Sequence, residues 1–304
     1  MKVFGVDYAF LSCGSVFTDG LAHAAADLGI EYAHADWSEP QLMRTIADFD
    51  PDLLFVVHGR KFAQWWGPTL AAPRSYQAAV WLLDEPYEVD DTATFSPRFD
   101  HVFLNDTATL DRHPNASYLP VCYDPHVHRP GSMPRIRKVG FVGGCNGTRD
   151  RYLAALARVG VLDYVVGGEW TDPLVRAVCV SPNVKPSVTA ALYGETRIAL
   201  NVFRETHHYN SRGTVATSFN PRVYEALACG ALVVSEWRPE LDTLCPELPT
   251  FRTEQECVER VCGLLANPER SEAIRVKCAE RLAGHTYAAR WQTVMATVGA
   301  QVAA

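Results

Sequence analysis

Nowhere in this 304-residue chain are two cysteines separated by two residues, no apolar run is long enough to span a bilayer, and no G-x-G-x-x-G occurs. Without C-x-x-C spacing, neither a zinc ribbon nor a redox dithiol is signalled. The nine cysteines are scattered and odd in number, which fits free buried thiols in a reducing, cytoplasmic setting. Without a long apolar run no membrane span is expected, and the opening MKVFGVDYAF reads as a strand instead of a signal peptide. Positive charge is scarce in one place only. Residues 1–128 carry 7 Lys/Arg against 18 Asp/Glu, a net of −11, whereas residues 129–304 carry 21 against 17, a net of +4. A half so acidic is poorly suited to closing over a nucleic-acid backbone; the mildly basic half suits a bound diphosphate.

What is present is ordinary globular composition, 48% hydrophobic and 21% charged, in a chain long enough for two cores. Strand-like and helix-like segments alternate, the mark of a parallel sheet wrapped in helices. In the first half, Lys2–Tyr8, Glu31–Asp36, Asp52–Gly59, Ala78–Pro86 and His101–Asp106 read as strands, and Thr18–Gly29 and Glu39–Phe49 as helices. Such sheets bind ligands at the carboxyl ends of their strands, so the polar residues there are candidates: Asp7, His58, Asp84, Glu85, Asn105 and Asp106. Asp84, between an apolar strand and Pro86, is placed either as a catalytic carboxylate or as a turn cap. His58, closing a buried strand before Gly59, is either a general base or hydrogen-bonded structure. Gly14, in the loop after the first strand, would permit close approach of a substrate. Trp65, Trp66 and Trp81 read as packing residues rather than a sugar-stacking platform. The proline- and histidine-containing stretch Tyr118–Pro130 reads as an interdomain linker whose His126 and His128 are solvated, no third metal ligand lying near them.

The pattern restarts at Lys138–Gly143, a strand running into the turn Gly143-Gly144-Cys145-Asn146-Gly147 and a helix from Thr148 to Val159. Strand, glycine turn and helix N-terminus together favour a bound phosphate, with small residues for backbone approach and unpaired N–H groups facing the anion. Arg149 in the first helical turn would add a charged donor. Further on, Arg197–Phe203 is a buried strand, followed by a long polar loop, Arg204–Phe219, holding Arg204, His207, His208 and Arg212. That loop is expected to be mobile and to cover an anion. Then comes NPRVYEALACGALVVSEW, residues 220–237. Pro221 opens a helix, Gly230 stops it, and an interior strand follows. The helix carries Arg222 and, one turn on, Glu225, which reads either as a surface ion pair or as an acceptor for the two vicinal hydroxyls of a ribose.

YEALACGALVV resembles the Glu-containing helix and following strand of nucleotide-sugar glycosyltransferases with the GT-B fold. The wider stretch, residues 200–237, is similar to the CgeB-like, spore-maturation branch. In the larger retaining families a first Glu lies eight residues before the second; this chain has Thr217 there, as the CgeB-like branch also tends to lack that Glu. WLLDEP, residues 81–86, resembles a Trp-x-x-Asp-x-Pro segment of that branch, and HTYAAR, residues 285–290, its closing motif. The resemblance implies an α/β GT-B fold: two Rossmann-like domains facing across a cleft, with a C-terminal helix crossing back to the N-terminal domain. The domains would be residues 1–128 (acceptor), 129–284 (nucleotide sugar) and 285–304 (the returning helix). It implies sugar transfer from a nucleotide-diphosphate sugar to an acceptor hydroxyl with no metal and no further cofactor. Gly143, Gly144, Arg149, Arg204, Arg212, Arg222 and Glu225 would hold the donor, and Val180–Val184 would frame its base. Asp84 and His58 would serve an inverting reaction as base; a retaining reaction would need none, and the sequence leaves the two open. The acceptor stays open: a small molecule, a glycan, a protein or a modified DNA base. Three rivals remain beside this reading: a glycosyltransferase of hydroxymethylated DNA bases, a nucleotide-sugar epimerase or hydrolase, and a non-catalytic two-domain binding protein.

Overall fold

A computed structural model describes residues 1–7, 14–205 and 208–302. Ser12 and Cys13 of the SCGS stretch, and His207, lie outside the described residues; Gly14, expected in a loop, is the first residue of a helix. The chain divides into two compact units, one built from residues 1–121, 208–218 and 286–302, the other from 122–205 and 219–285.

The first unit holds a six-stranded sheet: β1 (Lys2–Asp7), β2 (Glu31–Asp36), β3 (Leu53–Val57), β4 (Gln77–Leu82), β5 (His101–Leu104) and β6 (Ala116–Tyr118). Its order is β2-β1-β3-β4-β5-β6, and all pairs are parallel. Around it lie α1 (Gly14–Asp27), α2 (Leu42–Phe49), α3 (Arg60–Leu70) and α4 (Val89–Phe95). The β3 run LLFVV is buried on both faces, as a central parallel strand must be. Strands β3, β4 and β5 end at Val57, Leu82 and Leu104, two to four residues before the expected bounds, so His58, Asp84, Glu85, Asn105 and Asp106 all sit in the loops just past them.

The second unit repeats the plan with β7 (Arg137–Val142), α5 (Arg149–Arg158), β8 (Leu162–Val166), α6 (Pro173–Ala177), β9 (Cys179–Ser181), α7 (Pro186–Gly194) and β10 (Thr196–Asn201). It continues through α8 (Pro221–Ala228), β11 (Leu232–Glu236), α9 (Pro239–Leu244), β12 (Thr250–Phe251), α10 (Glu254–Ala266) and α11 (Pro268–Leu282). This sheet runs β12-β11-β10-β7-β8-β9, again all parallel. The order reverses between β7 and β10, and a parallel sheet opens a crevice at such a point, beyond the strands' carboxyl ends. The elements are punctuated as their sequences demand. Asn220 is extended and Pro221 takes the first helical position of α8, while Gly230 adopts φ +97° at its end. Thr253 accepts from the Glu256 N–H at the start of α10, and Glu256 reaches back to the Arg252 N–H.

The last helix, α12 (Tyr287–Val302), belongs to the first unit and packs on α1. Trp291 is fully buried and its indole N–H donates to the Leu21 carbonyl at 2.9 Å. Arg290 clamps the chain leaving the sheet, Nε to the Pro120 carbonyl at 2.6 Å and Nη2 to the Val121 carbonyl at 3.0 Å. Tyr287 is buried edge-on to Phe17 and Trp81. From Thr286 on, HTYAAR is thus a structural clasp of the first unit, whereas His285 belongs to the second.

Two expectations on packing are corrected. His128 is buried at 2% exposure, while His126 stays exposed. The residues before His128 fold it inward, since Asp124 accepts the His126 N–H on its side chain and the His128 N–H on its carbonyl. Trp81 and Trp66 pack, but Trp65 is 67% exposed: on α3 the apolar stripe is taken by Phe62, Ala63 and Leu70, and Trp65 falls off it.

Candidate active site

In the second unit the order reversal between β7 and β10 is built from arginines. Arg222 donates Nε–H to the Val142 carbonyl at the end of β7 and Nη1–H to Asn201 Oδ1 at the end of β10, both at 2.6 Å. Burial lowers the pKa of Arg222; the opposing pull comes from Tyr193 and Glu225. Asn201 in turn donates to Ser235 Oγ at the end of β11. Arg149, at 9% exposure, donates Nε–H to the Val202 carbonyl and an Nη1–H to the Gly144 carbonyl, each at 3.0 Å. Both guanidiniums therefore tie strand ends and the glycine turn together and place positive charge behind them.

The turn needs its glycines. Gly143 has φ +148°, and a Cβ there would lie 2.7 Å from Arg222 Nη2. Gly167, with φ +128°, passes so close to the Gly143 carbonyl that no side chain fits between the β7 and β8 loops. The Gly143 N–H is already paired with the Val166 carbonyl and the Cys145 N–H with that of Gly168. The exposed Gly144 and the start of α5, where Thr148 makes no side-chain cap, are what remain for an anion.

Glu225 lies on α8 one turn after Arg222, its side chain 12% exposed, with His128 Nε2 4.0 Å from Oε1. His128 Nδ1 is buried without a hydrogen-bond partner. Cys229 beside them is pushed up to about 12 by burial and by the Glu225 charge, so the thiol stays protonated. At the end of β11, burial raises the pKa of Glu236 while the Phe203 N–H, 3.0 Å from Oε2, opposes it. Val180, expected near a base, is exposed on β9.

The first unit carries the second cluster. His58 has φ +64° and Gly59 φ +79°, a left-handed pair at the β3–α3 turn. For a non-glycine residue this costs about 1–3 kcal/mol and persists only where the surroundings enforce it. Here the His58 N–H donates to the Trp81 carbonyl at 2.7 Å. The imidazole then lies between two carboxylates, Nδ1 at 3.8 Å from Asp84 Oδ2 and Nε2 at 3.6 Å from Glu88 Oε2. Arg60 stands on the far side of Glu88, Nη1 to Oε1 at 3.8 Å, and its Nε pairs with Asp91 at 2.9 Å. His58, Asp84 and Glu88 offer ligand atoms within 4.8 Å of one another. The two carboxylates, however, flank different ring nitrogens, and a cation on one nitrogen would meet one carboxylate directly, with a guanidinium already beside the other.

Arg204 and Arg212, both expected at the diphosphate, lie apart in the chain's division. Arg204 is half-buried just past β10 in the second unit, whereas Arg212 is exposed in the 208–218 segment of the first. That segment is firmly anchored. Buried Asp106 accepts from Thr217 N and Oγ1 at 2.7 and 2.6 Å and from Ser218 N and Oγ at 2.9 Å. Ser211 N–H donates to Asp90, Tyr209 exchanges backbone bonds with Tyr87 and Asp90, and Arg60 lies 4.4 Å over the Tyr209 ring. Thr217, where larger families carry a Glu, is thus a tether. Sequence reasoning missed Glu88, Arg60 and Tyr209, which come to His58 only through tertiary folding. It also missed the burial of His128.

Comparisons with known proteins follow the same lines. Residues 149–296 match a family model described as glycosyl transferase-like. No curated protein matches the chain by sequence. Among solved structures, sucrose-phosphate synthase from Thermosynechococcus elongatus superposes with a TM-score of 0.71 at 12% identity, covering 100% of both chains. An alpha-glucosyltransferase in complex with UDP-glucose and DNA gives 0.73 at 11% identity, covering 98% of each. The alpha,alpha-trehalose 6-phosphate synthase of Burkholderia multivorans gives 0.61 at 11%, covering 100% of this chain and 99% of that one. Two parallel six-stranded Rossmann-like sheets with a C-terminal helix returned to α1, matched over whole chains, make this the GT-B glycosyltransferase fold.

Proposed function

We propose that this protein is a glycosyltransferase that takes a sugar from a nucleoside-diphosphate sugar and joins it to an acceptor hydroxyl. The observation that carries the reading is Glu225, a largely buried carboxylate one helical turn from the arginine that marks the β7/β10 crevice. A carboxylate there is suited to accept hydrogen bonds from both ribose hydroxyls. Gly144 and the N-terminus of α5 supply N–H groups for the pyrophosphate. Arg149 and Arg222 act as fixed positive charge behind those groups, favouring the departing diphosphate; of the loop arginines, Arg204, just past β10 in the same unit, is our candidate for a direct contact. Asp84 and His58 are the acceptor base of an inverting reaction, in which a proton leaves the attacking hydroxyl as the anomeric bond breaks.

The acceptor we favour is not a nucleic acid. Although the likeness to the DNA-bound alpha-glucosyltransferase is close in fold, the −11 charge of residues 1–128 opposes a polyanion there. The chain carries no helix long and apolar enough to cross a membrane among the described residues. Asp84→Asn tests the assignment of the base. Transfer is expected to fall at least about a hundredfold, with donor affinity within twofold of the wild type. Equal transfer rates would remove Asp84 from the chemistry.

A further inference from the structure

We infer that Glu88 is the positioning residue of the acceptor site, holding the His58 imidazole from the side opposite Asp84; this rests on the reading of His58 and Asp84 as the acceptor base. Glu88 is 7% exposed and occupies the N-cap position of α4, yet its side chain makes no capping bond. It is directed instead to His58 Nε2, at 3.6 Å, with Arg60 on its other oxygen. The backbone fixes its distance from Asp84. The Glu88 N–H donates to the Asp84 carbonyl at 3.2 Å, and the Glu88 carbonyl accepts from Thr92 N at 2.9 Å and Thr92 Oγ1 at 3.1 Å. Two carboxylates one turn apart are thereby set to straddle one ring, and the left-handed backbone of His58 aims that ring between them.

Among the described residues, the ring is flanked by Asp84 and Glu88, with Arg60 behind Glu88 and both Asp91 and Tyr209 on Arg60. Asp84 is the most open of the three clustered side chains, at 26% against 14% for His58 and 10% for Glu88, so it and His58 meet the acceptor while Glu88 stays behind. In the transfer step the acceptor oxygen forms the new bond to the anomeric carbon. The anomeric C–O bond to the diphosphate breaks, its electron pair leaving with the diphosphate. The hydroxyl proton passes to the Asp84–His58 pair and later to water. Glu88 stabilises the imidazolium formed meanwhile and keeps Nδ1 turned toward Asp84.

The test does not require turnover. The histidine ring resonances of the full chain are followed against pH by NMR, the His58 signal being assigned by its loss in His58→Asn. Glu88→Gln, which keeps shape and removes charge, is expected to lower the His58 midpoint by about one pH unit, and Glu88→Asp to restore part of it. An unchanged midpoint in a folded Glu88→Gln protein overturns the inference. In transfer assays Glu88→Gln should lower kcat about tenfold with acceptor KM within twofold, its acid limb moving to lower pH; a fall in rate with no movement of that limb means a merely structural role. Titration with Mn²⁺ closes the remaining route: selective broadening of His58 at micromolar Mn²⁺, lost in Glu88→Gln, makes the trio a metal site and also overturns the inference. Calorimetric binding of UDP, ADP, GDP, CDP and dTDP to the wild type and to Glu88→Gln is run beside these. Absence of binding of all five in both proteins counts against the glycosyltransferase reading and leaves the NMR result to decide Glu88.

Discussion

Arg222 shows how one side chain serves fold and site together. It bridges the carbonyl of Val142 and the amide oxygen of Asn201 from within a largely buried position, so removing it strands both acceptors. Arg222→Met is expected to cost about 2–4 kcal/mol, read as a lower midpoint in urea unfolding; a loss under about 0.5 kcal/mol would show that the bridge carries little. At this scale the sequence speaks unevenly. Glu225 was legible because proline, glycine and an apolar strand frame its helix, and framing of that kind is local. The burial of His128 was not, because a stretch with two prolines and no period gives no face to assign. Glu88 was illegible for another reason: its meaning is a contact with His58, thirty positions away in the chain, and no spacing rule spans that distance.

Among the elements, the segment 208–218 departs most from its sequence. Polar, basic and long, it reads as a loop free to cover a ligand, yet Asp106 draws in Thr217 and Ser218 through four bonds and Ala108 through a fifth. Asp106→Ala would leave these donors without their shared acceptor. We expect a loss of about 2–4 kcal/mol and amide exchange across 209–218 faster by at least an order of magnitude, measured by hydrogen–deuterium exchange. Unchanged protection would mean that the segment is held by other bonds. The long strands were readable from their apolar runs, since a buried parallel strand has no polar face to hide. The short pieces were not: α3 carries a glycine and a proline near its end, and β9 spans three residues with an exposed valine at its centre. Tertiary pairing, not local preference, makes such elements.

For the molecule as a whole, alternation of strand and helix restarting at Lys138 was enough to announce two sheets, and the strand order follows from parallel crossovers on either side of a first strand. That the last helix belongs to the first unit came only from the likeness of HTYAAR to a family's closing motif, because no local property tells a helix which sheet it will cover. Trp291 carries that return. It is fully buried, with its ring 4.9 Å from that of Phe55 and its N–H on Leu21. Trp291→Ala is expected to destabilise the first unit by about 3–5 kcal/mol, and a thermal scan that separates the units should show the loss in the first alone; a loss confined to the second would contradict the assignment of α12. The central claim is the nucleotide site of the second unit, and isothermal titration of nucleoside diphosphates into wild-type protein and Glu225→Ala addresses it most directly. The account predicts binding of at least one diphosphate to the wild type, weakened by about tenfold or more in Glu225→Ala with the melting temperature preserved. No binding to the wild type, or equal affinity in the two proteins, would contradict it.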